Sequence, residues 1–218
     1  AIYIRGFEKL TELNAYKNGW VFIQDISSMN IGVEAEKAFI GKQPELILDV
    51  CAAPGGKSTH LAEKFPEARI ISRDLTSAKT EWMEENIQRL HLDNIECQVW
   101  DARKPDEHLV EKADLVIADL PCSGLGVIGN KPDIKWRVKE KDLKELEQLQ
   151  KSILTVVQSY VKEGGILSYS TCTVNQGENS ENVRWLTENY PFELVKERNF
   201  LPGRENSDGF YIAILKRK

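Results

Sequence analysis

The chain has no apolar run of about 18 residues, the length a membrane-spanning helix needs, and no signal-peptide pattern at its start. It is also short of the residues that build metal sites and disulfide frameworks. Its four cysteines, Cys51, Cys97, Cys122 and Cys172, stand far apart, and its three histidines, His60, His91 and His108, have no second ligand type nearby. No metal site is expected, and the thiols read as reduced ones in a cytoplasmic protein. An excess of basic residues is missing too: 29 Lys and Arg against 34 Asp and Glu leave a net charge of −5, which argues against a self-sufficient nucleic-acid binder. What remains is an ordinary globular composition, 41% hydrophobic and 29% charged over 218 residues, enough for one cored domain and expected to be monomeric. The first residue is Ala1 rather than Met, which reads as a fragment or a processed product.

One stretch organises the rest. Leu46 to Thr59, LILDVCAAPGGKST, runs from an apolar strand through a tight Gly loop into a helical pattern over 57–64. That is the form in which an α/β sheet seats a nucleotide-type ligand, the Gly pair letting backbone approach it and the helix N–H groups pointing at it. Two phosphate-binding templates fail here. A P-loop needs Gly where Cys51 stands, and the dinucleotide fingerprint needs three spaced glycines where only Gly55 and Gly56 occur. A ligand with adenine and ribose but no pyrophosphate is favoured, with S-adenosylmethionine (AdoMet) the leading candidate.

From Leu46 on, strand and helix patterns alternate, the sign of a parallel sheet with crossover helices. Strands are expected at 69–73, 95–100, 113–119 and 165–170, and helices at 77–90, 139–162 and 175–189. Two closing strands, 192–196 and 210–216, have no helix between them and suggest an antiparallel hairpin at the sheet edge. The fold class expected is therefore α/β, a seven-stranded, mostly parallel Rossmann-like sheet of the AdoMet-dependent (class I) methyltransferase type with an antiparallel edge strand. Residues 1–41 read as a lead-in packed on this domain of residues 42–218, with a helix at 7–13, a strand at 20–24 and a helix near 29–38 capped by Asp25 or Ser27.

Strand ends are where such sheets hold ligands, and here each offers a carboxylate. Asp74 follows Gly56 by 18 residues, near the offset at which an acidic residue meets ribose hydroxyls, and Asp101 could accept from an adenine amino group. Asp119 opens DLPCSG. Amine methyltransferases carry a second proline where this chain has Cys122, and a thiol suggests a ring carbon instead. Carbon 5 of a pyrimidine becomes nucleophilic only after covalent addition at carbon 6. The fifth strand brings Cys172, in STCT, to the same sheet edge, and chemistry alone does not order the two thiols. Lys131, Lys135, Trp136 and Arg137 form a basic, aromatic-bearing segment suited to stacking and phosphate contact.

VCAAPGGKST, DLPCSGLG and STCTVNQGEN resemble the three signature motifs of the Nop2/Sun family of RNA 5-methylcytosine methyltransferases, and KPDIKW and VFIQDISS resemble its bacterial Sun/Fmu group. The resemblance runs from about residue 20 to the end. It implies methyl transfer from AdoMet to carbon 5 of a cytosine in RNA, with ribosomal RNA of the small subunit as partner. Cys172 would be the nucleophile and Cys122 the thiol assisting proton removal and release, with Asp119 beside the base. Cys51, Ala52, Ala53, Pro54, Gly55, Gly56 and Lys57 would line the AdoMet loop, with Asp74 on ribose, Asp101 on adenine and Asp119 nearby. The group also carries an N-terminal RNA-binding domain, expected to be absent from this stretch. A transfer RNA or other ribosomal target, a non-catalytic RNA-binding module and a P-loop-like hydrolase stand as alternatives.

Overall fold

A computed structural model describes residues 6, 8–204 and 207–218. Its elements run α1 (Asn14–Lys17), α2 (Ile26–Ala38), β1 (Leu46–Asp49), α3 (Gly56–Lys64), β2 (Arg69–Asp74), α4 (Ser77–Arg89), β3 (Ile95–Val99), β4 (Ala113–Asp119), α5 (Ile134–Arg137), α6 (Glu140–Val157), β5 (Val161–Thr171), α7 (Ser180–Asn189), β6 (Phe192–Phe200) and β7 (Phe210–Arg217).

The seven strands form one sheet in the order β3-β2-β1-β4-β5-β7-β6. β1 through β5 are parallel neighbours, while β7 runs antiparallel to both β5 and β6. The edge hairpin is thus threaded with β7 inside and β6 outermost. Alternate side chains of the central strands enter two cores. Leu48, Val116, Leu167 and Tyr169 pack with Ile153, Leu154 and Val157 of α6. Ile47, Leu115 and Ile117 pack on the opposite face with Leu61 of α3 and with Ile31 and Ala35 of α2. Both faces of β1 and β4 are covered, which is why these strands read as continuous apolar runs. Chain order reverses between β1 and β4, so the crevice of the sheet opens at their carboxyl ends.

Several local expectations change. Phe7, the start of the expected 7–13 helix, lies outside the described residues; a 3₁₀ turn at Leu10–Glu12 and α1 follow. Residues 20–24 form neither strand nor helix. Trp20 and Ile23 are exposed, while the Phe22 ring lies against Gly56. Asp25 caps α2, its side chain accepting from Ser27 N. The helix expected to reach Lys162 ends at Val157, passes through a 3₁₀ turn at Gln158–Tyr160 and gives way to β5 at Val161. Residues 175–179 are not helical. Thr173, Asn175 and Asn179 side chains bond the local backbone there (Asn175 N to Thr173 Oγ1, Gly177 N to Asn175 Oδ1, Asn179 Nδ2 to Thr173 O), the competition with helix that such residues exert. β6 extends to Phe200 because its far end pairs with Tyr211 and Phe210 of β7.

Candidate active site

A cleft of about 430 Å³ lies over the carboxyl ends of β1, β2, β4 and β5 and the segment following β3, within the size range of small-molecule sites. Val50, Cys51 and Ala53 from the loop after β1 form its floor; Asp74 and Asp101 form one end, and Asp119, Cys122 and Cys172 the other.

The loop after β1 owes its shape to its glycines. Gly55 caps α3 at φ 99°, a left-handed conformation that glycine adopts without strain. Gly56 has a different purpose from the ligand approach its sequence suggested: a Cβ there would sit 2.8 Å from the Phe22 ring, so the room is filled by the segment before α2. Cys51 and Ala53 face the cleft, whereas Ala52, Pro54, Gly55, Gly56 and Lys57 support the loop from outside its lining. Burial pushes the Cys51 thiol far up and that of Cys97 up to about 11, leaving both as neutral packing groups.

Asp74 ends β2 almost wholly buried. Its Oδ2 accepts from Ala53 N at 3.0 Å, tying it to the loop, and its Oδ1 accepts from Leu75 N at 2.7 Å and Lys79 Nζ at 2.8 Å. Asp101 is gripped by Arg103 through two parallel bonds of 2.9 and 2.8 Å, and this guanidinium contact holds its carboxyl down at about 2. Both carboxyl groups therefore meet the cleft held in fixed orientations.

At the other end, Asp119 of β4 stands opposite Ser170 of β5. Ser170 Oγ donates to its Oδ1 at 2.7 Å, and Lys57 Nζ meets its Oδ2 at 2.5 Å. Burial opposes the charge on Lys57, but Asp119, joined by Asp49 and Cys172, raises the ammonium above its ordinary pKa. Three residues beyond Asp119 and two beyond Ser170, the sulfurs of Cys122 and Cys172 lie 3.2 Å apart. Their environments differ in sign. The Cys122 S–H contact, aided by Lys57, lowers the Cys172 thiol below its usual value, and the same contact together with burial raises Cys122. Residue chemistry alone left the two thiols unordered and the family resemblance made Cys172 the nucleophile; the site lowers the Cys172 thiol and raises that of Cys122.

Lys131, Lys135, Trp136 and Arg137 lie outside the cleft lining, on and before α5. Trp136 is 87% exposed, Arg137 pairs with Asp133 at 3.5 Å, and buried Ile134 pins the helix against Gly124 of the Cys122 loop. Sequence reasoning gave no role to Ser170, within the fifth strand, or to Glu178, within the expected 175–189 helix, and both are wholly buried. Among the described residues no group of three His, Cys, Asp or Glu is placed to hold a metal, and no helix is long and apolar enough to cross a membrane.

Residues 38–216 match the family described as 16S rRNA methyltransferase RsmB/F. Ribosomal RNA small subunit methyltransferase B of Yersinia enterocolitica is 36% identical over 96% of this chain and 50% of its own length. Among solved structures, NSun6 from Pyrococcus horikoshii, solved with SFG, superposes with a TM-score of 0.84 at 29% identity over 97% of this chain and 56% of its own. A methyltransferase homolog protein from the same organism gives 0.83 at 26%, over 97% and 72%. The chain spans about half the length of the curated relatives it matches.

Proposed function

The chain belongs to the RsmB/F family of 16S rRNA methyltransferases, and from that premise we propose that it methylates carbon 5 of a cytosine in small-subunit ribosomal RNA through a covalent Cys172–cytosine intermediate. The observation that carries this reading is the meeting of the two thiols at 3.2 Å beside Asp119, at one end of a cleft whose other end presents oriented carboxylates.

The residues present fit AdoMet. The loop after β1 has Cys51 where a phosphate cradle would need glycine, and the cleft offers carboxylates rather than an anion nest. Asp74 would take the ribose hydroxyls and Asp101 the adenine amino group, each with lone pairs left beyond its present partners. Cys51 and Ala53 would supply the floor, with Ala52, Pro54, Gly55, Gly56 and Lys57 shaping it. When bound there, AdoMet supplies an electrophilic methyl group.

The protein's own part follows from the thiols. Cys172, already favoured as thiolate, adds to carbon 6 of the cytosine and turns carbon 5 into a nucleophile. Asp119, held between Lys57 and Ser170, meets the ring nitrogen 3 edge and favours that addition. After methylation the carbon 5 proton must leave. Cys122, once its own S–H proton has passed to water, assists its removal as the thiolate, and the electrons of the carbon 5–hydrogen bond restore the ring double bond as the bond from Cys172 to carbon 6 breaks and Cys172 leaves as thiolate. The base must reach the cleft unstacked. Trp136, with Lys131, Lys135 and Arg137, stands next to the Cys122 loop and would stack and bind phosphate there.

Incubation with AdoMet and small-subunit ribosomal RNA carrying 5-azacytosine tests this directly, with mass spectrometry mapping protein and RNA. An adduct on Cys172, lost in Cys172→Ala, is expected, and its nucleotide names the target. An adduct on Cys122 would exchange the two roles, and no adduct from protein that binds AdoMet would overturn the reading.

A further inference from the structure

Glu178 lies in the turn before α7, with none of its surface exposed. Its carboxylate has four donors, drawn from both cysteine-bearing loops and from α6. Oε2 accepts from Ser123 N and Gln150 Nε2, both at 2.9 Å. Oε1 accepts from Ser123 Oγ at 2.6 Å and Asn175 Nδ2 at 3.2 Å. Ser123 immediately follows Cys122, and its hydroxyl lies 2.7 Å from Thr173 Oγ1, immediately after Cys172. Gln150 reaches the residue before Cys122 as well, donating to Pro121 O at 2.9 Å.

We propose that Glu178 is the positioning residue that holds the Cys122 and Cys172 loops at their working separation, one buried carboxylate receiving both. The proposal rests on the roles given above to the two thiols. Taking a carboxylate out of water is costly, and a well-packed apolar side chain in its place commonly costs a fold nothing. A carboxyl group kept here, satisfied wholly by neutral donors on and beside the cysteine loops, is explained by what those donors orient. Because the ties run through Ser123 and Thr173, one residue beyond each sulfur-bearing position, loss of the carboxylate frees the two loops to drift apart. The β1 loop and the carboxylates Asp74 and Asp101 share no bond with this network. The effect should therefore fall on the thiol pair and spare the cofactor end of the cleft.

Glu178→Ala and Glu178→Gln in the full chain test this. Three readouts are taken: AdoMet affinity, the kcat and KM for RNA methylation, and the rate at which dibromobimane, which fluoresces once it has joined two neighbouring thiols, bridges Cys122 and Cys172. For Glu178→Ala, kcat and bridging rate should fall by about tenfold or more while AdoMet Kd and RNA KM stay within about threefold, as expected when only reactive geometry loosens. Glu178→Gln should recover part of the loss. Its amide oxygen can replace Oε2, and the Ser123 hydroxyl can turn to accept from its amide nitrogen. Wild-type kcat and bridging in Glu178→Ala, or loss of AdoMet binding in step with kcat, would overturn the proposal. Should Glu178→Ala not fold, Ser123→Ala cuts the hydroxyl link to both Glu178 and Thr173, and unchanged bridging there would equally overturn it. A wild-type chain that methylates no RNA would count against the proposed function alone, because the bridging comparison needs no RNA.

Discussion

The acidity of the Cys172 thiol is set by its neighbours. Its lowered pKa comes first from the Cys122 S–H and then from Lys57, against burial and the nearby Asp119 carboxylate. Each contribution has a sign that a substitution can reverse. The pH midpoint for alkylation of Cys172 by iodoacetamide should move up in Cys122→Ala and in Lys57→Met, and down in Asp119→Asn, with mass spectrometry assigning the alkylated residue. Residue chemistry alone could not order the two thiols visible in DLPCSG and STCT, and only the family resemblance did so, because the contacts that shift them join strands far apart in the chain. Asp49 offers a second titration. Burial lifts it to about 7 from an ordinary carboxylate value, so the folded protein holds its proton where the unfolded chain has lost it. Stability attributable to Asp49 is then full below about pH 4 and falls as pH rises toward 7. Asp49→Asn, which has no charge to bury, should melt progressively higher than wild type across that window in thermal scans.

At the scale of elements, the loops that carry chemistry are held by backbone that tolerates no extra atoms. A Cβ on Gly126, just past the Cys122 loop, would sit 2.2 Å from Gly209 O and 2.8 Å from Cys172 O. Neither is the end of a flexible side chain. Gly126→Ala should destabilise by about 2 kcal/mol or more, the order of an overpacked site, and should slow methyl transfer beyond what the loss of folded protein explains. Gly56 differs, because the obstacle is the Phe22 ring. Gly56→Ala should lower the melting temperature, and Phe22→Ala in the same chain should recover part of that loss. The elements themselves were legible where hydrophobic pattern decides them: ADLVIAD is β4 residue for residue. They were misread where side chains overrule pattern. Residues 20–24 have strand composition without a neighbouring strand to pair with, and residues 175–179 have helical periodicity but also Thr173, Asn175 and Asn179, whose side chains take the backbone bonds a helix needs.

At the scale of the whole molecule, the described stretch 14–38 is part of the fold it precedes. Ile31 and Ala35 of α2 are fully buried in the cluster that contains Ile47, Leu61 and Ile117, and Arg89 of α4 donates to Tyr16 O and Val21 O, both at 3.0 Å. We therefore expect one cooperative melting transition for the chain, and a chain begun at residue 42 should lose that transition or melt at least about 10 °C lower, as deletion of several buried side chains implies. The sequence carried the architecture well, because alternating strands and helices leave few ways to close a parallel sheet. It gave little notice of the threading of the hairpin, since nothing in 192–200 or 210–217 says which strand goes inside.

That threading has a consequence for how the protein is made. β5, whose end carries Cys172, meets β4 on one side and β7 on the other, and β7 is synthesised after everything else in the sheet. While the chain is still emerging from the ribosome, β5 presents a bare hydrogen-bonding edge, and the lead to Cys172 has only half its support. β6, although made earlier, has no partner until β7 arrives to join it to the rest. Cys172 is thus set in place by the last strand of the sheet to be made, and a nascent chain halted before residue 210 would carry both thiols without the strand that completes their support.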